Sequence, residues 1–215
     1  MERTARAEQA GGTRERILNA AERLFAEHGV YAVSNRRVSE AAQQGNNAAV
    51  GYHFGTKADL VRAIARKHSR QIEETRERRL ARIQDPSDIG EWVACLVRPT
   101  TEHLAALGSP TWFARFCAQV MTDPALQDIM AEESLACPPT LRALEGLNRC
   151  LPDLPADVHV ERAAMSTNLI LHTCAERERA LAAHTSTTRA NWHDTATGLI
   201  DAVVGLWTAP VTPRR

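Results

Sequence analysis

The chain has 215 residues, room for one large domain or for a small domain joined to a medium one. It is 44% hydrophobic and 24% charged, as ordinary soluble globular proteins are. Its formal net charge is zero, which on its own argues against a nucleic-acid partner.

The distribution of charge argues the other way. Residues 1–84 carry 16 Lys and Arg against 10 Asp and Glu, and residues 85–215 carry 10 against 16. A basic front and an acidic back suit a protein that meets a polyanion with one end. Eight of the basic groups fall within residues 62–82, so a charged, solvated helix face accounts for the same numbers. The start, M-E-R-T-A-R-A-E, lacks the apolar core of a secretion signal. The apolar run 199–211 is too short to cross a bilayer and contains Asp201, so no membrane partner is expected. Five cysteines (Cys95, Cys117, Cys137, Cys150, Cys174) stand far apart without a C-x-x-C pair, which indicates the reducing cytoplasm over a disulfide framework. Abundant Ala, Arg, Leu and Glu, with few strand formers, predict an all-α fold.

Residues 1–12 read as a disordered arm ending in Gly11-Gly12. Thr13 then caps a first helix with Ile17, Ala21, Leu24 and Phe25 on one face and Gly29 as its stop. Ser34 caps a second short helix whose Val38, Ala41 and Ala42 face inward. Q-Q-G-N-N is a turn, and Ala48 to Phe54 a very short third segment. Thr56, with Asp59 three residues on, opens a long helix from Lys57 to about Gln84, stopped by Asp85-Pro86. Its apolar stripe is Leu60, Ile64, Ile72, Leu80 and Ile83. Prolines 99, 110, 124, 138, 139, 152 and 155 then divide the chain into further helices, and Pro99, inside a helical pattern, predicts a kink or break. Two long helices close the chain, over 156–184 and 188–208. The last places Trp192, Ala196, Leu199, Ile200, Val203 and Trp207 on one face.

Two short helices around a tight turn, packed on a preceding helix, are what a helix-turn-helix requires. The second must be slender where it enters the major groove. Asn46, Asn47, Ala48, Ala49, Val50 and Gly51 offer amides for base edges, methyls for thymine and a glycine for close approach. Tyr52 and His53 at the exit, and Lys57 in the first turn of the next helix, can reach phosphates. Phe54 reads as core.

The stretch from Thr13 to Leu60 contains T-R-E-R-I-L-N-A-A-E-R-L-F-A-E-H-G, then S-N-R-R-V-S-E-A-A, then A-A-V-G-Y-H-F-G-T-K-A-D-L. It resembles the DNA-binding domain of the TetR (tetracycline-repressor-like) family, and Y-H-F-G-x-K is the most specific part. The rest of the chain resembles the family in length and helical layout only. The resemblance implies that Ser34 caps its helix and touches phosphate, and that Arg36 reaches a base or the backbone. It implies base contacts for Asn47, Ala48 and Ala49, and phosphate contacts for Tyr52, His53 and Lys57. Arg37 reads as a solvated or phosphate-steering charge. The family's usual A-G-V-S turn is here A-Q-Q-G-N-N, one residue longer, with the glycine displaced to Gly45. That leaves the register of Gln44, Asn46 and Asn47 open by one position. A recognition helix of alanines and a glycine also gives weight to DNA shape and to Arg3 or Arg6 of the arm.

Residues 85–215 carry no G-x-S-x-G, phosphate loop, H-E-x-x-H or paired zinc spacing, so no catalytic residue, cofactor or metal is expected. A metal site from Cys95, His103, Cys117 or His172 is the weaker alternative to ordinary core and surface positions. Trp92, Leu96, Trp112, Phe113 and Phe116 cluster in mid-domain, and Cys117, His103 and His172 lie in apolar stretches. Plain packing or the wall of an effector cavity explains them. The resemblance implies the cavity, a small-molecule effector, and a homodimer through the last two helices, here Leu171, Trp192, Leu199, Ile200, Val203 and Trp207. Two reading heads would then lie about 34 Å apart on a near-palindromic operator. The expected organisation is an arm (1–12), a helix-turn-helix domain (13–58), a helical effector-binding and dimerisation domain (59–209) and a tail (210–215). The expected function is a sequence-specific DNA-binding transcriptional regulator, most simply a repressor released by its effector. An activator, a ligand-independent regulator, a helical enzyme and a protein-binding scaffold are the alternatives.

Overall fold

A computed structural model describes residues 2–46 and 48–212, with side chains described from Gly11 onward. Every regular element among them is a helix: α1 (Glu2–His28), α2 (Asn35–Ala41), α3 (Ala49–Phe54), α4 (Lys57–Leu80), α5 (Ile89–Leu107), α6 (Phe113–Val120), α7 (Pro124–Leu135), α8 (Pro138–Cys150), α9 (Ala156–Ala182) and α10 (Trp192–Thr208). No described helix is long and apolar enough to cross a membrane. The chain forms two compact units. The first takes the chain up to His68 together with Trp112–Glu133, and the second takes Ser69–Thr111 and the chain from Ser134 onward. The boundary therefore falls inside α4, not at residue 58, and α6 joins the helix-turn-helix unit. The physical reason is burial: Leu60, Val61 and Ile64 of α4 are fully enclosed in the first unit.

In the first unit α1 already begins at Glu2, so the expected disordered arm is helix. Thr13 lies inside it, and its Oγ1 accepts a hydrogen bond from Arg16 Nη2 at 3.2 Å. Ala, Glu and Arg dominate the early turns, and two glycines costing about 1 kcal/mol each do not interrupt them. Ile17, Ala21, Leu24 and Phe25 fill the core. Phe116 stacks with Phe25 and Phe113 at centroid distances of 6.4 and 6.5 Å, and His68 stacks on Phe113 at 3.9 Å. Buried Glu22 joins α1 to α4: its Oε2 accepts from Lys67 Nζ at 2.8 Å and meets His68 Nε2 at 2.9 Å. Burial pushes the Glu22 carboxyl up, but the hydrogen bonds and charges of His68 and Lys67 outweigh it and hold the group below its ordinary 4.5.

In the second unit α5 runs unbroken through Pro99. The expected break does not occur because the carbonyl that Pro99 orphans finds another donor. Proline has no N–H for the carbonyl four residues back, that of Cys95. Arg76 Nε donates to that oxygen at 3.1 Å. The same guanidinium pairs with Glu73 and donates to Thr140 Oγ1 at 2.7 Å, so α4, α5 and α8 meet on one buried cation. Burial pulls the Arg76 pKa down to about 10. Trp92 of α5 lies so close to Gly146 of α8 that a Cβ there would run into the indole. α10 begins at Trp192, later than expected, because Asn191 Oδ1 accepts from Asp194 N at 2.9 Å and caps the helix there. Arg162 of α9 serves its other end, donating to Trp207 O at 2.9 Å and Ala209 O at 2.7 Å.

Candidate nucleic-acid interface

Ser34 caps α2 as expected, its Oγ accepting from Arg37 N at 3.2 Å. Val38 and Ala42 are buried, whereas Ala41 is exposed. The turn then closes through Gln43 N to Glu40 O at 3.0 Å and Gln44 N to Ser39 O at 2.9 Å. Gln43 has φ +56°, the left-handed conformation that glycine usually supplies after a helix. The displaced Gly45 is not among the positive-φ glycines, which are Gly29, Gly55 and Gly108. Asn46 Oδ1 accepts from Ala48 N at 2.9 Å, and Asn46 O from Ala49 N at 3.0 Å. Asn46 thus braces the start of α3, and the side-chain oxygen expected on a base edge is turned to the helix backbone. Asn47 lies outside the described residues, as do the side chains of Arg3 and Arg6.

The exposed face of α3, taken with its N-cap Ala48, consists of Ala48, Gly51 and Tyr52. Val50 and Phe54 are buried, and so is Ala49 at 9% exposure, so Ala49 packs inward where a base contact was expected. Tyr52 is 86% exposed. His53 is half-buried and stands edge-on to the Tyr52 ring, with centroids 5.1 Å apart. A methyl, a bare backbone and then a phenol make a slender surface with a polar tip.

Lys57 Nζ donates to Val30 O at 3.0 Å and Val33 O at 2.7 Å, holding the loop between α1 and α2. Burial lowers its pKa. Two of the ammonium's three N–H groups are thus committed to carbonyls. Tyr31, 63% exposed with its ring 5.6 Å from that amine, is an aromatic the sequence reading passed over. Its only signal was an aromatic residue in the loop feeding Ser34. Arg36 and Arg37 are exposed; Arg36 Nε pairs with Glu40 at 2.7 Å and Arg37 Nη2 meets His28 Nε2 at 2.8 Å. The basic run of α4 is largely paired: Arg62 with Asp59, Glu132 and Glu133, Arg66 with Glu133, Lys67 with Glu22, Arg76 with Glu73, and Arg79 with Glu102. For those groups the charged helix face is the better account of the basic front.

The residues expected to line one effector cavity are divided. Trp112, Phe113, Phe116 and Cys117 belong to the first unit, and Trp92, Leu96, His103 and His172 to the second. Phe113, Phe116 and Cys117 are core, Trp112 and Leu96 are half-exposed, His103 is buried and His172 is exposed on α9. Trp92 is a structural clasp: its Nε1 donates to Pro86 O at 2.9 Å and Arg149 lies 5.7 Å from its ring. The interior of the second unit holds a polar pair that sequence reasoning missed, buried Glu178 accepting from Thr111 Oγ1 at 2.7 Å. Beside it burial raises the Cys174 thiol to about 12, which leaves it unreactive. Among the described residues no three His, Cys, Asp or Glu are grouped to hold a metal.

The expected dimer residues also need correction. Trp192, Leu199, Val203 and Trp207 are buried within their own unit, where α10 packs on α5; only Leu171 and Ile200 of that set are half-exposed. An apolar stripe announces burial but not the partner that provides it.

The profile of bacterial regulatory proteins of the tetR family matches residues 17–64, and that of the tetracyclin repressor-like C-terminal domain matches residues 94–205. A stretch of 63 residues is 40% identical to the HTH-type transcriptional repressor AcnR of Corynebacterium efficiens, and one of 62 residues is 39% identical to AcnR of Corynebacterium glutamicum. Each stretch covers 29% of this chain, and they cover 33% and 32% of the two proteins, so the chain spans about a third of the length of the curated relatives it matches. SmeT, the repressor of the Stenotrophomonas maltophilia multidrug efflux pump SmeDEF, shares the fold with a TM-score of 0.52 over 94% of this chain and 96% of SmeT, at 20% identity. With one profile on the helix-turn-helix and a second across more than half of its length, the chain belongs to the tetR family of bacterial regulatory proteins.

Proposed function

We propose that the protein is a cytoplasmic, homodimeric transcriptional repressor that reads an operator in double-stranded DNA and is released from it by a small-molecule effector. The observation that carries the DNA reading is the outer face of α3: Ala48, Gly51 and an almost fully exposed Tyr52, offered by a turn that Gln43 and Asn46 hold. Such a face fits the major groove by shape and methyl contact, with the phenol and the exposed Ser34, Arg36 and Arg37 left for phosphates. Because the apolar stripe of α10 is spent within its own chain, the dimer face is assigned to the other side of the last two helices. Exposed Met165 and Leu169 on α9 and half-exposed Ile200 and Val204 on α10 supply it.

Selection of bound duplexes from random DNA tests the reading. The expected consensus is a near-palindrome with half-sites about 10 bp apart. Equal retention of all sequences at moderate salt would contradict it. Leu169→Arg should convert the dimer to monomer in sedimentation and abolish binding to the full palindrome. Release by an effector requires reciprocity: the effector must bind less tightly when operator is present, by the same factor by which it weakens DNA binding.

A further inference from the structure

Away from the exposed face of α3, the first unit carries an open hollow of about 320 Å³ between α1, the α2–α3 turn and Trp112, with Arg16, Asn19, Ala41 and Gln43 exposed at its rim. That is the lower end of the range of about 300–1,000 Å³ found for small-molecule sites. We infer that it is a binding site for a small aromatic carboxylate. Its lining holds two guanidiniums, Arg16 and Arg23, and no carboxylate. Arg23 has no hydrogen-bond or ion-pair partner among the described residues, and Arg16 bonds only Thr13 Oγ1. Asn19 Oδ1 accepts from Lys67 Nζ at 2.8 Å, which leaves Asn19 Nδ2 as a donor. The half-exposed Trp112 caps no group with its side chain, and its indole N–H has no acceptor among the described residues. Donors without a protein acceptor thus line one hollow, together with Ala20, Ala41, Ala42 and the Trp112 side chain.

The chemistry selects the ligand class. A carboxylate answers the guanidiniums in the bidentate geometry that arginine favours. An aromatic ring answers the indole and the methyls. A plain inorganic anion would leave the apolar wall wet, and a neutral ring would leave the two guanidiniums to water alone. The site also touches Gln43, the residue held at positive φ in the turn before α3. An occupant therefore bridges α1, the turn that sets α3, and the start of α6, and it alters the helix-turn-helix without entering the second unit. The consequence for operator affinity rests on the DNA-binding reading; the binding site itself does not.

Calorimetric titration of the full chain with benzoate and 1-naphthoate tests the site, with acetate and inorganic phosphate as controls lacking the ring. Expected is one saturable site per chain for the ring carboxylates, with the controls at least about tenfold weaker. Arg16→Gln with Arg23→Gln should weaken ring-carboxylate binding at least about tenfold, with the thermal midpoint unmoved since neither guanidinium has a carboxylate partner. Ala41→Glu, at an exposed position, should do the same by placing a like charge in the hollow, and it serves if the double variant fails to fold. Trp112 fluorescence should be quenched on titration, because Trp92, Trp192 and Trp207 are buried. Absence of saturation up to about 10 mM, phosphate binding as tightly as benzoate, or binding indifferent to these substitutions would each overturn the inference. So would an adventitious role as DNA contacts: if the ligand-free double variant loses DNA affinity with a flatter salt dependence, Arg16 and Arg23 are phosphate ligands. With the duplex chosen by selection, ring carboxylate should shift operator affinity. If it binds but no duplex is ever preferred, the DNA reading fails and the site stands.

Discussion

In the first unit one lysine, Lys57, holds two loop carbonyls; in the second, three arginines hold five. Arg76 serves Cys95, Arg162 serves Trp207 and Ala209, and Arg177 serves Arg189 and Ala190. The device is the same, a cation closing stray main-chain oxygens, but the setting differs. Lys57 is half-buried at the edge of its unit, whereas the three arginines are buried. A buried cation is costly to leave without its partners, so the second unit is locked by groups that cannot be lost one at a time. In the first unit the carbonyl-holding cation sits at the rim, and the outer face of α3 stays bare toward solvent. Cohesion and exposure are thus allotted to different parts of the chain.

The largest test of this contrast is Arg76→Met. It orphans Cys95 O and strands the Glu73 carboxylate, and should cost about 3–5 kcal/mol in urea unfolding. Pro99→Ala restores an N–H to Cys95 O, so in the Arg76→Met background it should recover about 1 kcal/mol. No recovery would mean that Arg76 acts through Glu73 and Thr140 alone. Lys57→Met comes next, at about 1.5–3 kcal/mol for hydrogen bonds made by a charged donor. It should weaken DNA binding while leaving the salt slope unchanged; a slope reduced by about 0.9 would put the amine on a phosphate after all.

Glu22→Gln should cost about 1 kcal/mol at neutral pH and change the acid limb of stability. The folded carboxyl sits below its ordinary value, so its contribution is complete above that value and fades as pH falls through the depressed one. Acid titration of stability in the variant should lose that component, and identical acid limbs would remove the Glu22, His68 and Lys67 cluster from the account. The smallest effect is a gain. Gln43→Gly relieves a left-handed φ and should stabilise the first unit by about 0.5–1 kcal/mol; a loss would show that the Gln43 side chain matters more than its backbone.

Local signals were readable in the sequence: the Ser34 cap, the apolar face of α1, the short recognition segment and the core role of Phe54. Each is set by neighbours within a few residues. Pro99 misled because the rescuing donor, Arg76, lies on another helix, and no local rule reports it. For Lys57 the residue type suggests phosphate, while the carbonyls of Val30 and Val33 that it also holds are neighbours only in the fold and leave no local signal. The α10 stripe was correctly apolar, but periodicity does not say whether a helix faces its own chain or a second copy. The cavity beside the turn was invisible, since Arg16, Arg23 and Trp112 come from distant positions with no shared pattern.

Of the 26 Lys and Arg residues, two are lysines, Lys57 and Lys67, and both lie in the first unit. Lys57 is tied to loop carbonyls, and Lys67 to Glu22 and Asn19. Side-chain amine chemistry is thereby confined to one half of the molecule and to groups that must let go before they react. The rate at which an acylating reagent modifies these two amines is a built-in gauge of how often the first unit opens, and the lysine-free second unit stays silent in the same measurement.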